Sequence, residues 1–168
     1  HFGAFANGGR FPFVWPVGPI DFVLVDSARP DWLSRGRVGD DQLEVADMLL
    51  GAGDRPAVVM LHYPLRDRKG APYGPPTRNL SDAASVEKIL TRHARVTAVL
   101  HGHAHHGYRT EIPGPRLIPS LNPGASGYAW LPKHHRTAHF NVYEFAADGT
   151  FAVERHAWDG TRFAPEAG

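Results

Sequence analysis

Three short apolar runs punctuate the first hundred residues: Ile20-Asp21-Phe22-Val23-Leu24-Val25-Asp26, Pro56-Ala57-Val58-Val59-Met60-Leu61-His62 and Val96-Thr97-Ala98-Val99-Leu100. Runs of this length, rich in β-branched residues, read as buried strands. Two stretches of helical period separate them. In the first, Asp41-Gln42-Leu43-Glu44 has the form of a capping box, Leu43, Ala46, Leu49 and Leu50 follow at helical spacing, and Gly51-Ala52-Gly53 closes the helix. In the second, Ser81 or Asp82 caps a helix whose apolar face is Ala84, Val86, Ile89, Leu90 and Ala94. Ahead of all this, Phe11–Val17 is strand-like but carries two prolines, which confines it to a sheet edge.

Beyond residue 100 the period becomes two. Residues 107–112 alternate like a half-buried strand, and 137–145 with 151–158 predict a hairpin around Ala147-Asp148-Gly149. Residues 1–10, 121–127 and 130–136 read as loops and the tail from 159 as frayed. Strand, helix, strand, helix, strand and then a meander predicts a single α/β domain over 1–168, with a mixed sheet, parallel pairs covered by helices and a layered architecture.

The polar residues concentrate where the apolar runs end, the edge at which α/β sheets place their chemistry. The first run ends in Asp26-Ser27, with Asp26 expected to organise its own turn. The second ends in His62-Tyr63-Pro64. The third ends in His101-Gly102-His103-Ala104-His105-His106, a cluster of imidazoles, the commonest metal ligands in proteins. Segment 64–80 carries four Pro and two Gly with Arg66, Arg68, Lys69 and Arg78. It is too long and irregular for a simple connector, and its cations suit either a solvated surface or a phosphate.

Composition narrows the chemistry. The chain has no cysteine, which excludes disulfides and thiolate zinc sites, so any metal must be held by His, carboxylates, amides or water. A net charge of +1 gives no general nucleic-acid or acidic-membrane signal. No apolar run approaches the roughly 18 residues of a membrane span, and a cytoplasmic location is the expectation.

Leu61-His62-Tyr63-Pro64, Gly102-His103-Ala104-His105 and Asn122-Pro123-Gly124-Ala125-Ser126, in this order, resemble the second half of the calcineurin-like metallophosphoesterases. The resemblance covers essentially the whole chain. It implies a four-layer αββα sandwich and hydrolysis of phosphomonoesters or phosphodiesters by a water activated between two divalent ions, manganese, iron, zinc or similar. It implies that His62 and His103 ligate one metal and His105 the other, and that Asn122 and Ser126 structure their loop. His101 and His106 have no place in the family pattern and are expected to support the site or face solvent. The family's Asp-x-His, Gly-Asp and Gly-Asn-His motifs are absent. The chain is therefore expected to be the C-terminal portion of such a domain, with the N-terminal half of that domain as its partner, a phosphate ester as substrate and at most one ion held here. The alternative expectation is a non-catalytic scaffold of the same fold with a degraded metal site.

Overall fold

In a computed structural model describing residues 10–28 and 33–166, the three apolar runs form the parallel centre of a six-stranded sheet. Strand β1 (Phe13–Val17) pairs antiparallel with β2 (Ile20–Leu24) at one edge. Strands β2, β3 (Ala57–Met60) and β4 (Val96–Leu100) then run parallel. Next to β4 lies β6 (Ile118–Asn122), also parallel, and β5 (Tyr108–Ile112) closes the far edge antiparallel to β6. Strands β7 (His139–Phe145), β8 (Phe151–Trp158) and β9 (Phe163–Pro165) form a second, antiparallel sheet.

The central runs are continuously apolar because both faces of the large sheet are covered. Successive residues on a strand point to opposite faces. On one face Val23, Val59 and Val99 pack with Leu43 and Leu50 of α1 (Asp40–Ala52) and with Val86 and Leu90 of α2 (Ala83–Arg92). On the other, Ile20, Val58, Ala98, Leu100 and Leu121 pack with Phe22 and with Tyr143, Phe145 and Phe151 of the small sheet. The rings of Phe22 and Phe145 meet edge to face at 5.8 Å. The layers are thus helices, mixed sheet, small sheet: a mixed α/β arrangement. Among the described residues no helix is long and apolar enough to cross a membrane.

The helix starts differ from the expected capping box. Helix α1 begins at Asp40, after Gly39 at φ 86°, with no side-chain cap. The carboxylate of Asp82 instead accepts from the amides of Val38 (3.1 Å) and Gly39 (2.8 Å), tying the entry of one helix to that of the other. Buried Gln42 completes the junction: its amide donates to the carbonyls of Asp26 and Val38 and accepts from the Asp26 amide. Gly51 and Ala52 lie inside α1, which stops at Gly53. Two strands lie outside the expected set. In β6, Pro119 hides the strand signal, but β4 pairs only from Ser120 onward, so the missing N–H removes no bond to it. In the tail, β9 pairs with Ala157 and its neighbours on β8.

Candidate functional site

The carboxyl ends of β2, β3, β4 and β6 are stitched together one residue beyond the regular ladder. The Val25 amide donates to the Met60 carbonyl (2.9 Å), Leu61 to Leu100 (3.1 Å) and His101 to Leu121 (3.0 Å). The Gly102 amide then donates to the carbonyl of His62 (3.0 Å), which fixes the two histidine loops against each other. From the β2 end, the buried Ser27 hydroxyl accepts from the amides of both His62 (3.0 Å) and Tyr63 (3.2 Å). Asp26 organises its own turn, as its residue type predicts, by accepting the Ala28 amide.

This frame brings His62 and His103 together. His62 Nε2 and His103 Nδ1 lie 3.3 Å apart, with the rings nearly perpendicular. Tyr63 wedges beneath both, 4.2 Å from the His103 ring and 5.2 Å from that of His62. Tyr63 is held in turn by its hydroxyl, which donates to the Ser34 carbonyl (3.1 Å), and by Gly36, where any Cβ would fall 2.4 Å from the tyrosine ring. Tyr73 closes the other side of His103 edge-on at 5.8 Å.

The loop that carries the second histidine is strained. His103 and His105 have φ of 65° and 58°, in the left-handed region that side chains rarely occupy. Such residues cost on the order of 1 kcal/mol or more each and persist only where the surroundings impose them. Asn122 braces the residues at which this loop begins. Its Nδ2 donates to the Gly102 carbonyl and approaches His101 Nδ1 at 3.4 Å, while its Oδ1 accepts the Gly124 amide at 2.8 Å. Asn122 thereby has the loop-structuring part expected of it; Ser126 is exposed.

The electrostatics favour neutral rings. Burial pushes the His62 pKa below its ordinary value, and the neighbouring His105 adds to this. Burial also lowers that of His103, helped by His62, Arg78 and His105 and opposed by the Arg78 backbone. His101 is almost wholly buried and burial takes it down to about 4, against a weaker pull from the Gly102 backbone. Neutral imidazole is the ligating form. His103 Nε2 and His101 Nε2 are buried without a hydrogen-bond partner.

His105 stands apart from this contact. It is exposed, its ring 6.3 Å from that of Tyr128, although its charge reaches His62 and His103. Among the described residues no three His, Cys, Asp or Glu side chains gather as a metal-holding group. The closest pair of donors is that of His62 and His103. Two nitrogens at 2.0–2.1 Å from one tetrahedral ion stand about 3.3 Å apart, the separation of His62 Nε2 from His103 Nδ1. The pair fits two positions around one ion. A bridged pair of ions needs a carboxylate, and none joins the group among the described residues.

Arg66, one of the cations suited to either a solvated surface or a phosphate, is engaged elsewhere: it forms a two-bond ion pair with Glu87 (2.8 Å each). Of the residues that shape the site, Tyr73 is the least visible in the sequence: only its place in segment 64–80 signals it, whereas Ser27, Tyr63 and Arg78 stand at strand ends or among the cations already singled out.

No family model matches this chain. A probable cyclic nucleotide phosphodiesterase of Synechococcus sp. is 33% identical to it over 107 residues, which is 60% of this chain and 40% of that protein. The chain thus spans less than half the length of this relative.

Proposed function

We propose that this chain is part of a metal-dependent phosphoesterase. The observation that carries the reading is the pair of imidazoles whose nearest nitrogens, 3.3 Å apart, match the separation of two ligands of one ion. The similarity to a protein named as a probable phosphodiesterase supports the same class of reaction, hydrolysis of a phosphate ester. In this reading the helices, mixed sheet and small sheet are three layers of a four-layer calcineurin-like αββα sandwich, and 1–168 is the C-terminal portion of that domain.

His62 and His103 would hold the ion, with His105 ligating a second one. The chemistry such ions supply is polarisation of the phosphoryl group and activation of water as the nucleophile. The chain's own residues prepare the place. Tyr63 packs against both rings, Asn122 and Ser27 fix the loops, and partial burial lowers the pKa of each ring. An anion held there would also feel Arg78, whose charge reaches His103. The substrate is accordingly a phosphate ester, mono- or diester.

Equilibrium dialysis with manganese and zinc, on the wild type and on His62→Ala, tests the reading. It expects tight binding of an ion by the wild type and its loss in the variant; equal binding by both would overturn it. A second reading, a non-catalytic scaffold of the same fold, is favoured by the absence of a three-ligand group among the described residues. It predicts that neither metal binds at micromolar concentration and that bis(p-nitrophenyl) phosphate is not hydrolysed.

A further inference from the structure

Segment 64–80 turns away from the histidine pair and encloses a cleft of about 510 Å³, lined by Asp67, Arg68, Lys69, Tyr73, His106 and Tyr108. Ala104, next to His103 in the histidine loop, also lines the cleft, and Tyr73 of its lining meets the His103 ring, so the cleft adjoins the candidate metal site. The segment is long and irregular, yet its backbone is fixed. Arg66 is held by Glu87 and donates to the Gly70 carbonyl (2.8 Å). Asp67 Oδ1 accepts the amides of Lys69 (2.8 Å) and Ala71 (3.0 Å). The Tyr108 hydroxyl donates to the Arg66 carbonyl (2.9 Å), and the Tyr73 amide donates to that of Leu65 (3.0 Å).

These bonds divide the lining into two sets. Arg66, Asp67 and the Tyr108 hydroxyl maintain the loop. Arg68 and Lys69 are exposed on the cleft rim, and among the described residues their side chains have no ion-pair or hydrogen-bond partner. They also line an adjoining cleft of about 550 Å³ with Arg109, whose one carboxylate is Glu111. The cleft therefore combines a preorganised cationic rim with aromatic walls, of which Tyr73 is half-buried and adjoins His103. Guanidinium and ammonium groups recognise phosphate, and aromatic faces accept nucleobases without regard to sequence.

We propose that this cleft is a subsite for the nucleotide unit beyond the scissile ester, with a base against Tyr73 and a second phosphate at Arg68 and Lys69. The assignment of the scissile ester to the neighbouring histidines rests on the phosphoesterase reading. The substrate class is then a linear nucleotide diester bearing a further terminal phosphate. A cyclic mononucleotide has no second anion to place on this rim.

The test is isothermal titration calorimetry of the chain in EDTA, using diadenylate with and without a 5′-phosphate. In the wild type, removal of the 5′-phosphate weakens binding about tenfold, the scale of a charge-assisted contact. Arg68→Ala/Lys69→Ala, and the milder Arg68→Gln/Lys69→Gln, bind both ligands alike, and Tyr73→Leu weakens both ligands equally. Circular dichroism on each variant guards against misfolding. The subsite is overturned if the wild type binds both ligands equally or binds neither, or if the double variants still discriminate. Manganese binding by the chain is read separately by equilibrium dialysis. Discrimination without metal binding supports the subsite while removing the phosphoesterase reading; metal binding without discrimination removes the subsite alone.

Discussion

His93, His139 and His156 sit against carboxylates, whereas His62 and His103, at neighbouring strand ends, meet each other. Between the helices, His93 Nε2 lies 2.6 Å from Asp47. On the small sheet, His156 lies 3.4 Å from Glu154 and His139 3.8 Å from Glu166. At His62 and His103, burial lowers both pKa values; His105 adds to this at His62, and His62, Arg78 and His105 add to it at His103. His139 is the intermediate case: burial and Arg155 lower its pKa, and Glu166 pulls the other way. The difference teaches that number of histidines says little. What distinguishes a candidate cation site is two ring nitrogens converging where no anion compensates a proton, because a metal ion can satisfy both at once.

The sharpest way to break the comparison is to remove one ring from each region. His103→Ala is expected to weaken zinc binding by more than about 100-fold, beyond the range seen when only a ligand's supporting partner is lost. His93→Ala should leave zinc affinity within twofold, although His93 sits close to a carboxylate. Calorimetric titration of both variants checks this. Equal losses would mean that zinc is held on the flanks and not at the strand ends.

A second test uses acid. His101 supports the strand-end loop and has no carboxylate against it. Facing it are Asn122 Nδ2 at 3.4 Å, the ring of Tyr108 at 5.4 Å, the Gly102 backbone and the charge of His62. Its native pKa of about 4 lies below the ordinary 6.5. The unfolded chain therefore takes up a proton that the folded chain refuses. The contribution is fully present above pH 6.5 and is lost as pH falls toward 4, amounting to at most about 3 kcal/mol. Urea midpoints between pH 7 and 4 should show this fall in the wild type and a shallower one in His101→Gln. Parallel curves would remove His101 as the cause.

How much of this was legible in the sequence divides along the same line. The central strands were readable because apolar runs covered on both faces leave an unbroken pattern, and β4 has the bounds its composition suggests. The positions of His62 and His103 at neighbouring strand ends follow from parallel strands with helical connections. Their contact does not. It depends on Tyr63 fitting against Gly36 and on Asn122 bracing the start of a left-handed loop, and neither leaves a periodic trace. The same holds for the helix entries, where Asp82 serves α1 across 43 residues of chain in place of a local capping box. Strand β6 was hidden by its own proline, and Arg66 gave no sign that Glu87, a helix away, would claim it.

Gly36→Ala sharpens the comparison without touching a histidine. The added Cβ would stand 2.4 Å from the Tyr63 ring and 2.7 Å from the Ser27 carbonyl oxygen, so the tyrosine must move. Overpacking of this kind costs about 1–3 kcal/mol. Because Tyr63 touches both site rings and neither flank pair, zinc affinity should fall together with stability. Thermal melts with and without zinc would show it. A variant destabilised yet unchanged in zinc affinity would mean that the wedge does not orient the rings.

The smallest effect is expected at the shortest imidazole–carboxylate contact. Asp47 accepts from both His93 (2.6 Å) and Arg92 (2.5 Å), which makes it the tightest imidazole–carboxylate contact described. Yet Arg92 is half-exposed and Asp47 nearly a third exposed, so water and salt compete for every charge in the group. Asp47→Asn keeps the shape and one acceptor and should cost less than about 1 kcal/mol, with most of that cost gone in 1 M salt. Urea denaturation at low and high salt measures it. A loss as large as that of Gly36→Ala would mean that the flank pair is a buried element of the fold. The contrast would then lie in depth of burial, not in whether a histidine faces an anion.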